Sequence, residues 1–253
     1  MLYLDYLAHN NGLKEVSIGE KLLLGGGGLV LALALPQPVT LLAVVFVMHG
    51  VMLFARTPPG YLCRLWLGPL AFLLTGICSV VISVSAESFA ALTGIWIGPY
   101  FFGVTYEGLA AAEVLLLRSL AAVSCLLMIA TTTPVAHVAA YLSRFPAIRG
   151  VAEIATLTYR FIFVFLAAAG QIYTAQQSRL GYVDARRSLH SLAYLTANVG
   201  RKTFLGARDL TTALNARNYH SRLSFYYPRQ QVVPSRLALI AAALIALALS
   251  ALV

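Results

Sequence analysis

Charge is what this sequence has least of. Asp, Glu, Lys and Arg together make up 11% of its 253 residues, against about 25% in soluble domains. With 60% hydrophobic residues and a mean hydropathy of +0.81, the composition excludes an ordinary soluble domain and indicates an integral membrane protein. Cysteine is scarce too. Cys63, Cys78 and Cys125 are far apart and sit in or beside apolar runs, without the Cys-x-x-Cys spacing of a zinc site or an even disulfide framework. The five histidines, His9, His49, His137, His190 and His220, include no i, i+4 pair of the kind that ligates metal on a helix. There is no Gly-x-x-x-x-Gly-Lys-Ser/Thr loop, no Gly-x-Ser-x-Gly and no His-Glu-x-x-His. These absences leave no catalytic residue and no metal ligand to name, and no nucleotide site of the P-loop type. The N-terminus is polar, with Asp5, His9, Asn10 and Asn11. It lacks the basic-then-apolar order of a signal peptide, so membrane insertion is expected to rest on later segments.

What charge there is lies in one place. Residues 144–236 hold 13 of the 18 basic residues against three acids, Glu153, Asp184 and Asp209. The remainder holds five basic residues against six acids. The net +9 therefore belongs to a single insert between hydrophobic flanks, the pattern of a docking surface.

Inside the insert a short motif occurs twice. Ala175, Ser178 and Arg179, followed by Leu180 and Gly181, match Ala213, Ala216 and Arg217, followed by Asn218. Both read Ala-x-x-small-Arg at the end of a helix-compatible run. Gly181 and Asn218 are the residues expected to take the left-handed turn that stops each helix. An arginine there sits on the negative end of the helix dipole and reaches outward toward a carboxylate. Taken singly, each copy is an ordinary basic helix end. Two copies imply two equivalent docking sites, and so a dimeric partner.

Along the chain, residues 1–21 read as a short interfacial helix or lead-in. Residues 22–55 are apolar but broken at Pro36 and Pro38, which predicts a hairpin of two short spans, with Gly25, Gly26, Gly27 and Gly28 allowing close backbone approach. Residues 56–66 form a loop with Arg56 and Arg64, and 67–85 a third span. Residues 86–106 are aromatic, without a basic residue, suiting a segment at the membrane interface. Residues 107–131 are a fourth span, carrying Glu113 and Arg118. Within the insert the pattern predicts helices over 135–145, 147–179, 183–199 and 203–217, then a turn-rich linker over 226–234. Residues 235–253 are a last span. The expected fold is therefore an all-α polytopic membrane protein of about five transmembrane helices. Residues 1–133 would hold the lead-in and four spans, 134–234 a basic domain of long helices, and 235–253 the fifth span. Loop charges place the basic domain and the N-terminus in the cytoplasm. Residues 154–169 are apolar enough for a sixth span, but Arg160 interrupts them and the reading is rejected.

Glu113 and Arg118 are charges inside a span and are expected to face protein or a water-filled cavity. Five residues apart, they are not an ideal same-helix pair. A transport path and a structural pairing with a neighbouring helix are both open to them. Arg160 can anchor its helix on backbone or carboxylate groups, or stack on an aromatic. A polytopic membrane enzyme, such as a transferase acting on a phosphate-bearing or lipid substrate, is the rival reading. Its weakness is that the nine acids are scattered. A basic anchor on membrane lipid is a third. Nucleic acid is disfavoured because aromatic platforms are not interleaved with the basic residues.

Four stretches together resemble one known family. They are Leu4 to His9 with Glu20, Lys21 and Leu22; the junction Thr131, Thr132, Thr133 and Pro134; the run Leu157 to Ile162 around Arg160; and the paired Arg motifs in order. They span most of the chain. They are similar to the transmembrane coupling subunit, or T component, of energy-coupling factor importers, and most to its cobalt-type branch. The resemblance implies a non-catalytic bacterial inner-membrane subunit with no cofactor of its own. ATP and magnesium would sit on a partner ATPase dimer, into whose grooves Arg179 and Arg217 dock. It also implies a small substrate-binding membrane subunit of the CbiM type, with a CbiN-like companion, and cobalt or nickel as cargo. The family usually has Gly or Ser after the Arg; here stand Leu180 and Asn218.

Overall fold

The computed structural model describes residues 3–85, 93–97, 100–218 and 232–249. They are overwhelmingly helical and fall into two compact units, one of Val135–Pro228 and one of Leu2–Pro134 with Arg229–Val253.

The second of these is the apolar bundle. It opens with a short helix α1, Tyr3–His9. The hairpin follows as α2, Ile18–Ala34, and α3, Pro38–Phe54. Pro38 sits in the first turn of α3, where its missing N–H costs nothing and its fixed φ suits the helix. The same device starts α4, Pro59–Val81, about eight residues before the expected span. Arg64 therefore lies on a helix, not in a loop. Next come β1, Ile82–Ser85, β2, Thr93–Ile97, and β3, Tyr100–Val104. They form an antiparallel sheet in the order β1-β3-β2, with Ile82 opposite Val104 and Thr93 also opposite Val104. This small sheet was not expected. The stretch is rich in aromatic and β-branched residues, which favour strands over an interfacial coil. Residues 86–92 and 98–99 of that expected interfacial segment lie outside the described residues. Helix α5, Tyr106–Thr132, follows, and α9, Pro234–Leu249, completes the bundle.

Helix α5 is central, packing against α1, α2, α3 and α4. Leu41, Val44, Met48 and Met52 line one face of α3 at i, i+3 and i+4 spacing and meet Ala121, Cys125 and Met128 of α5. Two glycines of α2 allow the approach. A Cβ at Gly25 would fall 2.5 Å from Ile129 Cγ1, and one at Gly28 2.5 Å from Met48 Cε. The outward faces carry Val30, Phe46, Phe72 and Leu74. Large apolar residues on the outward faces as well as in the core are the distribution of a bundle solvated by lipid. At 23 and 27 residues, α4 and α5 reach about 35 and 40 Å, enough to cross a ~30 Å hydrocarbon core. The 17, 17 and 16 residues of α2, α3 and α9 reach about 25 Å each.

The basic unit contains α6, Val135–Leu142, a 3-10 turn over Pro146–Ile148, α7, Arg149–Ser178, and α8, Ala185–Ala216. Helix α7, with the turn before it, is also long and apolar enough to cross a membrane. Its buried residues are small, Ala152, Thr156 and Ala168, while Ile154 is exposed. The two helices expected over 183–199 and 203–217 are one continuous 32-residue helix. Gly200 does not divide them: a single interior glycine costs about 1 kcal/mol relative to alanine, too little to end a helix with good formers on both sides. Most of the expected 226–234 linker lies outside the described residues.

Candidate functional site

The two Arg motifs fold as one device used twice. Helix α7 ends at Ser178 and Arg179 is its cap residue. The Leu180 N–H donates to the Gln177 carbonyl at 3.0 Å and the Gly181 N–H to the Gln176 carbonyl at 2.9 Å. That pair of bonds is a Schellman stop. Its left-handed residue is Leu180, φ 59°, one place before the expected Gly181. Helix α8 ends at Ala216 with Arg217 as cap. The Asn218 N–H donates to the Asn215 carbonyl at 3.1 Å, and Asn218 has φ 57°. Among the described residues only three non-glycine positions have positive φ, and two of them directly follow these arginines. The register is thus the same in both copies. Tyr219 and His220, which follow the second, lie outside the described residues.

Glycine is used differently from expectation. A Cβ at Gly181 would stand 2.7 Å from Ser191 Oγ and 2.9 Å from the Gln176 carbonyl oxygen. Gly181 is there for close approach, not for handedness. Around it the turn is tied down. Ser191 Oγ donates to the Gly181 carbonyl at 2.8 Å, Gln176 Nε2 donates to the Ser191 carbonyl at 3.0 Å, and Tyr182 OH donates to Gln176 Oε1 at 2.7 Å. Asp184 caps α8 by accepting from the Arg187 N–H at 2.7 Å.

Arg179 and Arg217 are exposed, as are the small residues Ala175, Ser178, Ala213 and Ala216 of the turns before them. Neither arginine belongs to either described ion pair, His9–Asp5 or Arg187–Asp184. Beside Arg179 a shallow concavity of about 1100 Å³ is lined by Arg179, Leu180, Asp184, Arg186, Arg187 and His190. Because the Gly181 turn is bonded to Ser191 of α8, the two arginines are about 40 Å apart along that helix. They make two separate contact points, not one pocket.

Three further charged candidates lie on α5 and α7. Glu113 is exposed on α5, and Arg118 is half-buried with an Nε that has no hydrogen-bond partner. No described ion pair links these two. Arg160 is exposed on α7. The described cation–π contact is Arg144 over Tyr141, at 5.2 Å. His49 is held between the Val45 carbonyl (2.9 Å) and the indole N–H of Trp66 (3.1 Å). With Trp66 donating to Nε2, the tautomer that satisfies both contacts carries its N–H on Nδ1, toward the Val45 carbonyl. Among the described residues no three His, Cys, Asp or Glu side chains are grouped to hold a metal ion.

Sequence reasoning missed a polar knot in the bundle. The Thr132 carbonyl accepts from Lys21 Nζ and from Asn11 Nδ2, both at 3.0 Å. It is one of the orphan carbonyls at the end of α5, and the lysine places a cation on the negative end of that helix. Glu20 does the converse for α9: its Oε1 accepts from the Val233 N–H at 3.0 Å. Lys21 and Thr132 stand out in the sequence only as parts of two separate motifs. Their meeting needs the packing of α2 on α5.

Residues 9–227 match the family described as CbiQ, cobalt transport protein. The chain belongs to that family. It is 34% identical over 238 residues to the cobalt transport protein CbiQ of Rhodobacter capsulatus, covering 94% of this chain and 92% of the relative. It is 31% identical over 222 residues to the CbiQ of Salmonella typhimurium, covering 87% and 97%. A protein of Methanocorpusculum labreanum, named as a fused cobalt transport protein CbiMQ, is 26% identical over 232 residues, covering 91% of this chain and 39% of the fusion. Family and fold agree: this is a polytopic membrane protein of a transport family.

Proposed function

We propose that this chain is the non-catalytic coupling subunit of an ATP-driven cobalt importer, carrying the conformational change of two ATPase copies to a substrate-binding membrane subunit. The observation that carries the reading is the repeated helix end: arginine at the cap, a left-handed residue after it and the same closing hydrogen bond, at two places about 40 Å apart along α8. One device at two separate points fits two equivalent acidic grooves, and hence an ATPase dimer that binds ATP and magnesium. Cobalt as cargo is supported by the names of the relatives; nickel is the alternative. The fused CbiMQ relative supports a CbiM-like partner, and the proposal adds a CbiN-like subunit beside it. The surplus of basic residues in 144–236 supports a cytoplasmic face for α7 and α8, in a bacterial inner membrane.

The test is co-purification and uptake. Truncating a desolvated, charge-paired arginine costs about 2–5 kcal/mol. Arg179→Ala or Arg217→Ala is therefore expected to weaken capture of the ATPases, and the double substitution to abolish capture and uptake. Wild-type capture and uptake in the double variant would overturn the proposal. So would purified chain that turns over a phosphate-bearing or lipid substrate on its own.

A further inference from the structure

The apolar bundle contains a crevice that the coupling role does not use. It has a volume of about 790 Å³ and lies between α2, α3 and α9. Its walls come from the start of α2, the end of α3, the end of α5, the start of α9 and residues 12–16. Much of the lining is apolar, with Leu24, Val47, Val51, Met128 and Ile240. Four charged residues also line it: Glu15, Glu20, Lys21 and Arg236.

The charges are not equivalent. Lys21 is committed to the Thr132 carbonyl. Glu20 is 1% exposed. Its Oε1 is used by the Val233 N–H, but its Oε2 has no partner. A buried carboxylate oxygen without a donor is costly, so the site calls for a donor from outside the chain, best a cationic one. Arg236 is exposed and belongs to neither described ion pair, so an anion at the crevice can pair with it. A ligand that meets both therefore carries an N–H cation, an anion close to it and an apolar tail.

We propose that this crevice binds an aminophospholipid of the phosphatidylethanolamine class. The ammonium donates to Glu20 Oε2, the phosphate faces Arg236, and one acyl chain runs over Leu24 and Val51 between α2 and α3. The volume takes the headgroup and the upper part of a chain, and the rest lies along the outer helix faces. A choline headgroup satisfies Arg236 equally but has no N–H for Glu20. A glycerol headgroup offers hydroxyl donors but no cation.

The measurement is native mass spectrometry of the full-length chain in detergent, with phosphatidylethanolamine, phosphatidylcholine and phosphatidylglycerol of identical acyl chains in equal amounts. A charge-assisted hydrogen bond predicts retention of the ethanolamine lipid about tenfold or more above the choline lipid. Glu20→Gln is expected to erase that preference while leaving choline-lipid retention unchanged. Gly50 lines the crevice and a Cβ there meets nothing within 4 Å. Gly50→Leu should therefore fill the space without disturbing the fold and abolish retention of every lipid. Gly26, outside the crevice and equally open, is the control: Gly26→Leu should bind as wild type. Equal retention of ethanolamine and choline lipids, a glycerol-lipid preference, or an ethanolamine preference that survives Glu20→Gln or Gly50→Leu would each overturn the assignment. Should Glu20→Gln fail to fold, the lipid comparison on wild type and Gly50→Leu decides alone.

Discussion

Leu180 stands at φ 59° and Asn218 at φ 57°, each directly after an arginine cap. The backbone is the same and the side chains differ, so exchanging them tests whether the two turns are one device. A left-handed backbone costs an ordinary L-residue about 1–2 kcal/mol, whereas asparagine tolerates it. Leu180 is 65% exposed, so Leu180→Asn forfeits only about a third of a leucine's burial, roughly 0.7 kcal/mol. The net expectation is a gain of about 0.5–1 kcal/mol in the local turn. Asn218→Leu recovers no burial and is expected to lose about 1–2 kcal/mol. The readout is native-state hydrogen exchange at amides bonded across the turns, those of Gly181 to Gln176 and Arg217 to Ala213. Protection at Gly181 should rise about two- to fivefold in Leu180→Asn, and protection at Arg217 should fall about five- to thirtyfold in Asn218→Leu. Unchanged or lowered protection at Gly181, or changes of the same sign in both variants, would refute the reasoning.

Other sites give sharp contrasts. In α2, Gly25→Ala drives a Cβ into Ile129 and is expected to cost about 1–3 kcal/mol, while Gly26→Ala, with open space, should be neutral or slightly stabilising; thermal melts of the two in one detergent check this. Gly181→Ala meets Ser191 and a backbone carbonyl oxygen and should also cost about 1–3 kcal/mol, read as lost protection at the α7 end. Asp184→Ala removes the α8 cap at a cost of about 1 kcal/mol, with Asp184→Asn keeping most of it; its surface ion pair with Arg187 adds little, so raising salt should barely change the difference.

Hydropathy, proline and charge made the helical membrane fold legible. Pro36 and Pro38 mark the hairpin, and the Arg and Lys distribution marks the basic unit, because each acts within a few residues of itself. What failed was of two kinds. Pro59 was read as a loop residue although it is equally good in a first helical turn, and one helix was read as two, over 183–199 and 203–217, although the lone Gly200 between them is a weak signal in a long helix. The strands within 82–104 failed for a similar reason: short apolar runs do not distinguish strand from an irregular interfacial segment without their partners. The repeated arginine was visible, but its handedness was assigned to Gly181 on propensity, whereas the close Gln176 and Ser191 contacts claim that glycine and pass the left-handed step to Leu180. The Lys21–Asn11–Thr132 knot was beyond reach, since Thr132 is more than 100 residues along the chain from both Lys21 and Asn11.

The continuity of α8 bears directly on the coupling proposal. Its 32 residues include none that is buried, so side-chain packing holds it weakly and its own backbone ladder must carry any displacement from the α7 turn to Arg217. A stiff element transmits motion as a rigid body; a hinge in it absorbs the motion locally. Gly200 lies at the middle, and a Cβ there meets open space. Gly200→Ala should therefore stabilise α8 by about 1 kcal/mol and leave uptake intact. Gly200→Pro removes a ladder bond and clashes with the preceding turn, costing about 3 kcal/mol and kinking the helix. Both arginine ends remain, so ATPase capture should persist while ATP-driven cobalt uptake falls by an order of magnitude or more. Loss of capture would mean that the two ends dock only as one unit, and uptake at the wild-type rate with a kinked α8 would show that the motion does not pass along this helix.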